Sequence, residues 1–400
     1  MDPGVPNWGR IPALAVTGAP ALVAVGAGHE LRLPTSAGEI VLTQHDHGLR
    51  LRVGPPVRDY GILVAAPVPL QLQLEAIDGG SRVTARTASG GALELRVGPP
   101  VRDYGILLAP PVPLALRTES VDGGSRITAR TASGSALELY IGHAPFHFEL
   151  SQDGRRVQAS STDGHFVRRF RLPPLARHDG RWLFTLDLGA DTPVYGLGEK
   201  SGKLDKRGQW LRSYNHDALG LNAERSYKNA PFAWSPEGWG VFVHGPEPVT
   251  HGVGFGPWSQ RAYVLAVEGE GLDLFVLTGA DGAVQLRQYT DLTGRAPEPP
   301  PWSLGTILSK AYYKDADEIL SVAREVRARG LPCEVITFDG RAWQDTDTRF
   351  AFEWCPKRYP DPKPVIDELK SMGFRICVWE YPLVSVRHPL FAEMAAKGWL

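Results

Sequence analysis

The sequence predicts a β-sandwich over residues 1–297, followed by the beginning of a parallel α/β domain over residues 298–400. Three observations support this: the length, the turn-rich alternating pattern before residue 298, and the alternation of strand and helix signals after it. A chain of 400 residues exceeds what one hydrophobic core usually organises. Its apolar fraction of 43% and charged fraction of 22% are those of a globular protein.

The first domain is predicted from short strands separated by tight turns. Ala92–Val97 alternates apolar and polar side chains, the pattern of a strand with one buried face. Asp78-Gly79-Gly80 and Asp122-Gly123-Gly124 are hairpin-turn signals. Because such signals recur roughly every ten residues up to about Glu298, the whole stretch is expected to be all-β and to form a sandwich.

A direct repeat lies inside this domain. Arg52–Leu95 and Arg96–Leu139 are both 44 residues long and differ at nine positions. Each copy is expected to form a hairpin or a meander. Since a solenoid needs three or more repeats, a recent tandem duplication or an error in assembling the sequence is favoured over a duplicated binding edge.

After Pro297 and Pro299–Pro301 the pattern changes to one of strands and capped helices. A capping box at Asp315 begins a helix that is expected to run to Arg329, with Gly330 as its stop. A second helix begins at Asp361, with a proline in its first position, and ends at Gly373. The spacing leaves room for helical crossovers and so predicts a parallel sheet, with a buried strand at Trp302–Leu308 and further strands at Cys333–Asp339 and Phe374–Trp379.

Composition excludes several function classes. A formal net charge of −1 gives no electrostatic reason to expect nucleic acid or an anionic membrane as a partner, and no apolar run of about 18 residues is present. The three cysteines do not form a disulfide framework, so a cytoplasmic location is expected. Ile11–Gly28 is apolar, but Pro12 and Pro20 interrupt it, which favours a first strand region over an export signal.

Three motifs resemble ligand sites but lack required residues. Gly196–Lys203 has leucine at position 197, where a phosphate-binding loop needs its first glycine. In the run Gly252–Pro257, a proline occupies the last glycine position of a dinucleotide motif. His45 and His47 would share one strand face, but no third metal ligand is in view. The sequence therefore predicts no metal and no cofactor.

Polar and aromatic residues follow two of the predicted parallel strands. Asp339 ends the second strand with Trp343 just beyond it, and Trp379 ends the third, followed by Glu380. In a βα barrel the C-terminal ends of the strands carry the site, so these residues are site candidates. A structural alternative stays open, with Asp339 as a helix cap or loop ion-pair partner and the tryptophans as core residues.

Nine short motifs occur in the order in which one known family has them. They are Tyr195–Glu199, Tyr214–Ala218, Tyr227–Phe232, Leu292–Arg295, Pro300–Gly305, Phe338-Asp339, Phe352–Trp354, Tyr359–Pro362 and Gly373–Trp379. On these motifs the chain resembles glycoside hydrolase family 31, the α-glucosidase and α-xylosidase family, from about Ala132 to Leu400. The resemblance implies a galactose-mutarotase-like β-sandwich followed by the first three βα units of a catalytic (β/α)8 TIM barrel. It also implies that the first repeat copy is the extra one.

The resemblance assigns five residues to substrate binding. Asp339 matches a carboxylate that contacts sugar hydroxyls in the −1 subsite. Trp343 and Trp379 match aromatic walls of the pocket. Tyr312 matches an aromatic residue at its rim, and Asp217 matches a carboxylate on a sandwich loop that reaches over the barrel mouth.

Two stretches depart from the family pattern. Where the family usually has Asn-Pro after Trp379, this sequence has Glu380–Pro382. The segment Gly340–Ala342 lacks the bulky residues that are common there. The resemblance therefore leaves open which sugar fits.

The implied function is that of a retaining α-glycosidase acting on terminal α-linked xylose or glucose of an oligosaccharide. Such enzymes use two carboxyl groups, and the family has both on later barrel strands. The catalytic aspartates are thus expected beyond residue 400, and the chain by itself is expected to be inactive; Asp345 and Asp347 match neither position. Two alternatives stay open, namely a carbohydrate-binding or structural β-protein and an unrelated α/β enzyme, and so does assembly into a homo-oligomer.

Overall fold

The computed structural model describes residues 16–17, 21–25, 28–35, 38–45, 48–53, 72–77, 80–85, 95–97, 117–130, 134–144, 146–161, 164–165, 170–218, 225–345, 353–380 and 384–400. The chain divides into two compact units, Met1–Arg295 and Ala296–Leu400. Much of the repeat, His47 of the His-Asp-His motif, and Asp347 lie outside the described residues. Among the described helices, none is both long enough and apolar enough to cross a membrane.

The first unit is made mainly of β-strands. In chain order these are β1 Ala21–Val25, β2 Gly28–Thr35, β3 Gly38–His45, β4 Gly48–Val53, β5 Leu72–Ile77, β6 Gly80–Ala85, β7 Leu95–Val97, β8 Arg117–Val121, β9 Gly124–Arg130, β10 Ala136–His143, β11 Phe146–Gln152, β12 Arg155–Ala159, β13 Gly164–His165, β14 Phe170–Arg171, β15 Leu175–His178, β16 Arg181–Asp187, β17 Tyr195–Gly196, β18 Gln209–Ser213, β19 Phe232–Ser235, β20 Trp239–Val243, β21 Val249–Val253, β22 Ala262–Glu268 and β23 Leu272–Thr278.

These strands pair antiparallel into three larger sheets. Within the described part of the chain, the longest has the order β1-β2-β3-β4-β23-β20-β19-β17, and β7 pairs with β3. The second has the order β12-β11-β10-β9-β8, and the third has the order β15-β16-β22-β21-β18. In the third sheet, β16 and β22 are in register from Arg181↔Glu268 to Asp187↔Ala262.

Each repeat copy contains an equivalent hairpin. In the first copy β5 pairs with β6, and in the second β8 pairs with β9. The second hairpin turns at Asp122 and Gly123, and Gly123 has a φ of 71°, which a glycine adopts without strain. The prediction of a hairpin in each copy is confirmed.

One hydrophobic core is shared by the three larger sheets. Trp182, Phe184 and Leu186 of β16 point into it, as do alternate residues of β10, β22 and β23. Burying a large apolar side chain of this kind contributes about 1.5–3 kcal/mol. Sheets whose inner faces bury a common core form the arrangement of a β-sandwich.

The sequence predicted no helix before residue 298, and this prediction is wrong. Helix α1, Gly282–Thr293, begins after Asp281, whose side chain accepts a hydrogen bond from the Val284 amide at 2.9 Å. Its Leu292 is buried in a cluster with Phe232 and other residues on the outer face of the longest sheet.

A buried polar residue explains why the helical period was missed. Gln285 lies on the inner side of α1, where its Nε2 donates to the carbonyl of Ser235 at 2.9 Å. Tyr289 follows four residues later and stacks on Phe232 with ring centroids 4.3 Å apart. A glutamine occupies a position where an apolar residue is expected. Too few apolar residues therefore recur at helical spacing for the sequence to indicate an amphipathic helix.

The second unit alternates strands and helices. A 3-10 turn at Pro301–Leu304 comes first, followed by β24 Ile307–Lys310, α2 Ala316–Ala328, β25 Val335–Phe338, α3 Gly340–Trp343, α4 Pro362–Ser371, β26 Arg375–Val378 and α5 Pro389–Ala396. The strands form a sheet of order β24-β25-β26 in which both pairs are parallel. The predicted parallel sheet is confirmed.

The predicted caps are also confirmed. Asp315 caps α2 by accepting from the Glu318 amide at 3.0 Å, and Asp361 caps α4 by accepting from the Lys363 amide at 3.1 Å. Just beyond the end of α2, Gly330 has a φ of 67°. A glycine with positive φ is the usual way to end a helix.

The strand predicted at Trp302–Leu308 is wrong in position and in burial. Pro301 begins a 3-10 turn, and the strand starts only at Ile307, whose side chain is 51% exposed. Proline fixes its own φ and has no amide hydrogen, which favours a turn over a strand at this point. The central strand β25 is buried throughout and packs against α2 and α4.

Candidate functional site

Asp339 lies at the carboxyl end of β25 and at the N-cap position of the one-turn helix α3. Its side chain makes no cap hydrogen bond, in contrast to those of Asp315 and Asp361. The helix turn is closed by its backbone, since the Asp339 carbonyl accepts from the Ala342 amide at 2.6 Å. The half-buried carboxylate is therefore not used as a cap.

Trp343, the last residue of α3, is buried in the core of the second unit. Its Nε1 donates to the carbonyl of Trp379 at 3.0 Å, and its ring lies 5.2 Å from that of Trp354. Indole rings with a satisfied N–H are well suited to such a position. Trp343 therefore links the segment after β25 to the segment after β26.

Trp379 follows β26 and is half-buried. Its amide donates to the carbonyl of Phe338 at 2.8 Å. Its ring lies directly over Gly340, because a Cβ added at that glycine would be 2.4 Å from the Cζ3 atom. The unusual small residue at position 340 thus has a packing reason, namely the close approach of this ring.

Tyr312 follows β24 and is 45% exposed. The guanidinium carbon of Arg358 lies 5.2 Å from the centroid of its ring. Tyr312, Asp339, Trp343 and Trp379 therefore all follow the carboxyl ends of strands in one parallel sheet.

Gln344 and Glu380 form a contact that was not predicted. Gln344 is fully buried, and its Nε2 donates to the Glu380 carboxylate. In the sequence Glu380 was noted as the residue after Trp379 and as a departure from a family pattern. The structure shows that it has a partner on the segment that follows α3, so the departure comes with a compensating hydrogen bond.

Asp217 belongs to the first unit and is exposed. Its Oδ1 accepts a hydrogen bond from the Tyr227 hydroxyl at 2.6 Å. The segment that carries it is held by Asn229, whose Nδ2 donates to the Tyr214 carbonyl and to Asn215 Oδ1, both at 2.9 Å. A single amide side chain thus fixes the course of the Asp217 segment.

The glycine-rich stretch Tyr195–Glu199 packs against the backbone around Asn229. A Cβ at Gly198 would lie 2.5 Å from the Lys228 carbonyl, so the two backbones meet where only a glycine fits. Leu197 has a φ of 70°, a left-handed conformation that costs about 1–3 kcal/mol for a residue with a side chain. Lys200 donates to the Arg212 carbonyl at 2.5 Å and to the side chain of Asn229.

Burial shifts the pKa of several ionisable groups in the first unit. Burial, together with the nearby charge of Lys200, lowers the pKa of His251 to about 3, so this imidazole is neutral. Its nitrogens lie 2.7 Å from the Tyr263 hydroxyl and 2.9 Å from the Ser213 hydroxyl. Burial also raises the pKa of the Glu247 carboxyl to about 7.

The described residues contain no group of three histidine, cysteine or carboxylate side chains that could hold a metal ion. Asp345 is half-buried, and the Cys355 thiol lies 3.9 Å from its Oδ2. Near the strand ends, the side chains of Asp339, Trp379 and Tyr312 present a carboxylate, an indole ring and a phenol ring.

Comparison with known proteins identifies this arrangement. The profile of the glycosyl hydrolases family 31 TIM-barrel domain matches residues 296–400, and that of the glycosyl hydrolase 31 N-terminal galactose mutarotase-like domain matches residues 90–250.

Two named relatives are α-xylosidases. Alpha-xylosidase XylQ of Lactiplantibacillus pentosus is 33% identical over 248 residues, which are 60% of this chain and 32% of that protein. An α-xylosidase of Emericella nidulans is 32% identical over 262 residues, which are 64% of this chain and 32% of that protein. The chain spans about a third of the length of these relatives.

Solved structures show the same fold. A Flavobacterium johnsoniae GH31 dextranase complexed with glucose matches 97% of this chain and 41% of its own, with a TM-score of 0.69 and 20% identity. A GH31 α-xylosidase from a soil metagenome complexed with xylose matches 95% of this chain and 50% of its own, with a TM-score of 0.65 and 20% identity. The chain therefore belongs to glycoside hydrolase family 31 and covers its N-terminal portion, with the mutarotase-like domain and the start of the TIM-barrel domain.

Proposed function

We propose that the chain is the N-terminal part of a retaining α-glycosidase that removes terminal α-linked xylose or glucose from oligosaccharides. The observation that carries the proposal is the position of Asp339, a half-buried carboxylate at the end of a parallel strand that does not cap the helix after it. The α-xylosidase relatives support a substrate of this class.

The parallel sheet is proposed to be the first three units of an eight-stranded barrel. Parallel sheets are normally covered on both faces. The two strands that flank β25 nevertheless carry apolar side chains that are exposed to solvent, Ile307 to 51% and Val378 to 41%. In a TIM barrel further strands would pair with β24 or β26, and the interior would be filled by layers of side chains.

Asp339 is proposed to bind sugar hydroxyls and not to form or break bonds. Retaining hydrolysis needs a nucleophile and a general acid/base about 5–5.5 Å apart, and in this proposal both lie on later strands, outside these 400 residues. The exposed Tyr312 and the half-buried Trp379 would offer ring faces to the sugar. Residues 1–400 alone would then bind sugar at most weakly and hydrolyse nothing.

The first repeat copy is proposed to be an addition to the family's domain. The match to the N-terminal domain profile begins at residue 90, which leaves most of Arg52–Leu95 outside it.

The three unpaired cysteines support a reducing compartment for the protein.

The function is tested on the protein expressed from its complete reading frame. Turnover of an aryl α-xyloside or α-glucoside is expected, with retention of the anomeric configuration by proton NMR and none with the matched β-anomers. Binding of xylose or isomaltose without any turnover would favour the alternative, a carbohydrate-binding protein. Turnover by purified residues 1–400 would contradict the placement of the catalytic pair.

A further inference from the structure

Arg358 precedes α4 and directs its guanidinium at backbone carbonyls. Its Nη1 donates to the carbonyls of Tyr313 and Arg341, both at 2.8 Å, and of Ala342 at 3.2 Å. Its Nη2 donates to the carbonyl of Gln344. An arginine is usually paired with a carboxylate or a phosphate, and four backbone carbonyls as its acceptors indicate a role in holding backbone.

The carbonyls that Arg358 binds belong to two different strand ends. Tyr313 follows β24, whereas Arg341, Ala342 and Gln344 belong to α3 or follow it. The last carbonyls of a helix have no partner within the helix, and α3 is only one turn long. One cation therefore satisfies the end of α3 and joins it to the segment after the neighbouring strand.

The third strand end is connected through Gln344, which Arg358 holds, and through its neighbour Trp343. Gln344 donates its side-chain amide to Glu380, and Trp343 donates its indole N–H to the Trp379 carbonyl at 3.0 Å. Both acceptors lie just after β26. The segments after β24, β25 and β26 are thus linked in one hydrogen-bonded chain that starts at Arg358.

The guanidinium also lies near two aromatic rings. Its carbon lies 5.2 Å from the Tyr312 ring centroid and 5.8 Å from that of Tyr359. The Tyr359 hydroxyl donates to the Ala342 carbonyl at 2.7 Å, which gives the same helix end a second tether. Arg358 therefore fixes a side chain, that of Tyr312, as well as the backbone.

We propose that Arg358 is a positioning residue, which sets the spacing between Tyr312 and Asp339 by tying together the segments that carry them. The proposal rests on the proposed function for the roles of these two residues as sugar contacts. It adds that their relative placement depends on the Arg358 tether and not only on the hydrophobic core below them.

Only arginine has the geometry for this tether. Its planar group offers five N–H donors and can lie against an aromatic ring, whereas a lysine ammonium has three donors on a flexible stem. Arg358→Lys keeps the charge and should recover only a minor part of what Arg358→Ala loses. Arg324 provides a matched control, because it pairs with Glu368 between α2 and α4, away from the strand ends.

The kinetic test uses the protein expressed from the complete reading frame. Arg358→Ala is expected to lower kcat/KM on the better aryl α-glycoside at least tenfold, since small misplacements of binding groups cost on the order of 10–100-fold. Millimolar guanidinium should restore part of this loss, a rescue that a general loss of stability would not show. Arg324→Ala should stay within about twofold of wild type. Equal losses in both variants, or full kcat/KM in Arg358→Ala, would overturn the proposal.

Hydrogen exchange in the same protein tests the tether independently of activity. In Arg358→Ala the amides of Ala342 and Gln344, which close α3, should exchange at least tenfold faster. The Met372 amide at the end of α4 should be unchanged and serves as the control. If wild type hydrolyses neither glycoside, the proposed function fails, while the exchange rates still decide whether Arg358 holds the strand ends. Unchanged exchange at both α3 amides would reject the tether even in an active enzyme.

Discussion

Replacing Asp339 with asparagine removes one negative charge and keeps the shape of the side chain. The carboxylate is half-buried and makes no cap hydrogen bond, so stability should change by no more than about 0.5 kcal/mol. A hydrogen bond to a charged acceptor contributes about 1.5–3 kcal/mol, against about 0.5–1.5 kcal/mol for a neutral one. If the substitution weakens the hydrogen bond to a sugar hydroxyl by roughly 1.4 kcal/mol, kcat/KM should fall about tenfold.

The loss should be visible in kcat as well as in KM. In glycoside hydrolysis, hydrogen bonds to ring hydroxyls strengthen as the sugar distorts toward the oxocarbenium-like transition state. An interaction that is stronger in the transition state than in the ground state contributes to kcat. Initial rates of aryl α-xyloside and α-glucoside hydrolysis, measured for the protein from the complete reading frame, separate the two parameters.

A pair of alanine variants distinguishes a site residue from a helix cap. Asp361 is a true cap, so Asp361→Ala should cost about 1 kcal/mol of stability and leave kcat/KM unchanged. Asp339→Ala should instead lower kcat/KM and leave the stability nearly unchanged. If Asp339→Ala loses as much stability as Asp361→Ala and retains full kcat/KM, then Asp339 is a structural residue and the reasoning fails.

Three further variants, one of them with a matched control, test the packing and the electrostatics. Gly340→Ala places a Cβ 2.4 Å from Trp379 Cζ3, and we expect a destabilisation of about 1–3 kcal/mol in urea denaturation; a loss below about 0.5 kcal/mol would mean that the ring moves aside at no cost. Asn229→Ala should cost about 1–3 kcal/mol by leaving its partners unpaired, whereas Lys228→Ala, at an exposed neighbour, should be near neutral. Because burial raises the folded-state pKa of Glu247 from 4.5 to about 7, the folded protein should lose stability as the pH rises between these values. Glu247→Gln should remove that loss, and parallel pH profiles of the two melting temperatures would contradict it.

The parts of the fold that the sequence predicted well depend on local chemistry. The caps of α2 and α4 require only that an aspartate accept a nearby amide, and Gly330 ends its helix by its own backbone freedom. Parallel pairing of β24, β25 and β26 follows from the length of the crossovers. These features are encoded within a few residues or in a spacing.

The features that were missed depend on contacts between distant segments. Helix α1 has a buried glutamine at position 285 because a carbonyl fifty residues away accepts from it. Arg358 reads in the sequence as an ordinary surface arginine, and its partners lie up to 45 residues away. Sequence periodicity contains no information on such partners, so neither feature could be inferred from it.

The same distinction bears on what the family motifs mean. Gly198, in one motif, is a glycine because the Lys228 carbonyl meets its backbone. Asn229, in another motif, holds backbone and side chains of the Asp217 segment. These residues hold the backbone in place, whereas Asp339 ends a strand without capping the helix that follows, which leaves its carboxylate for the proposed contact with a sugar. Motifs of this kind identify the family, whereas Glu380 is a position at which this chain departs from the family pattern.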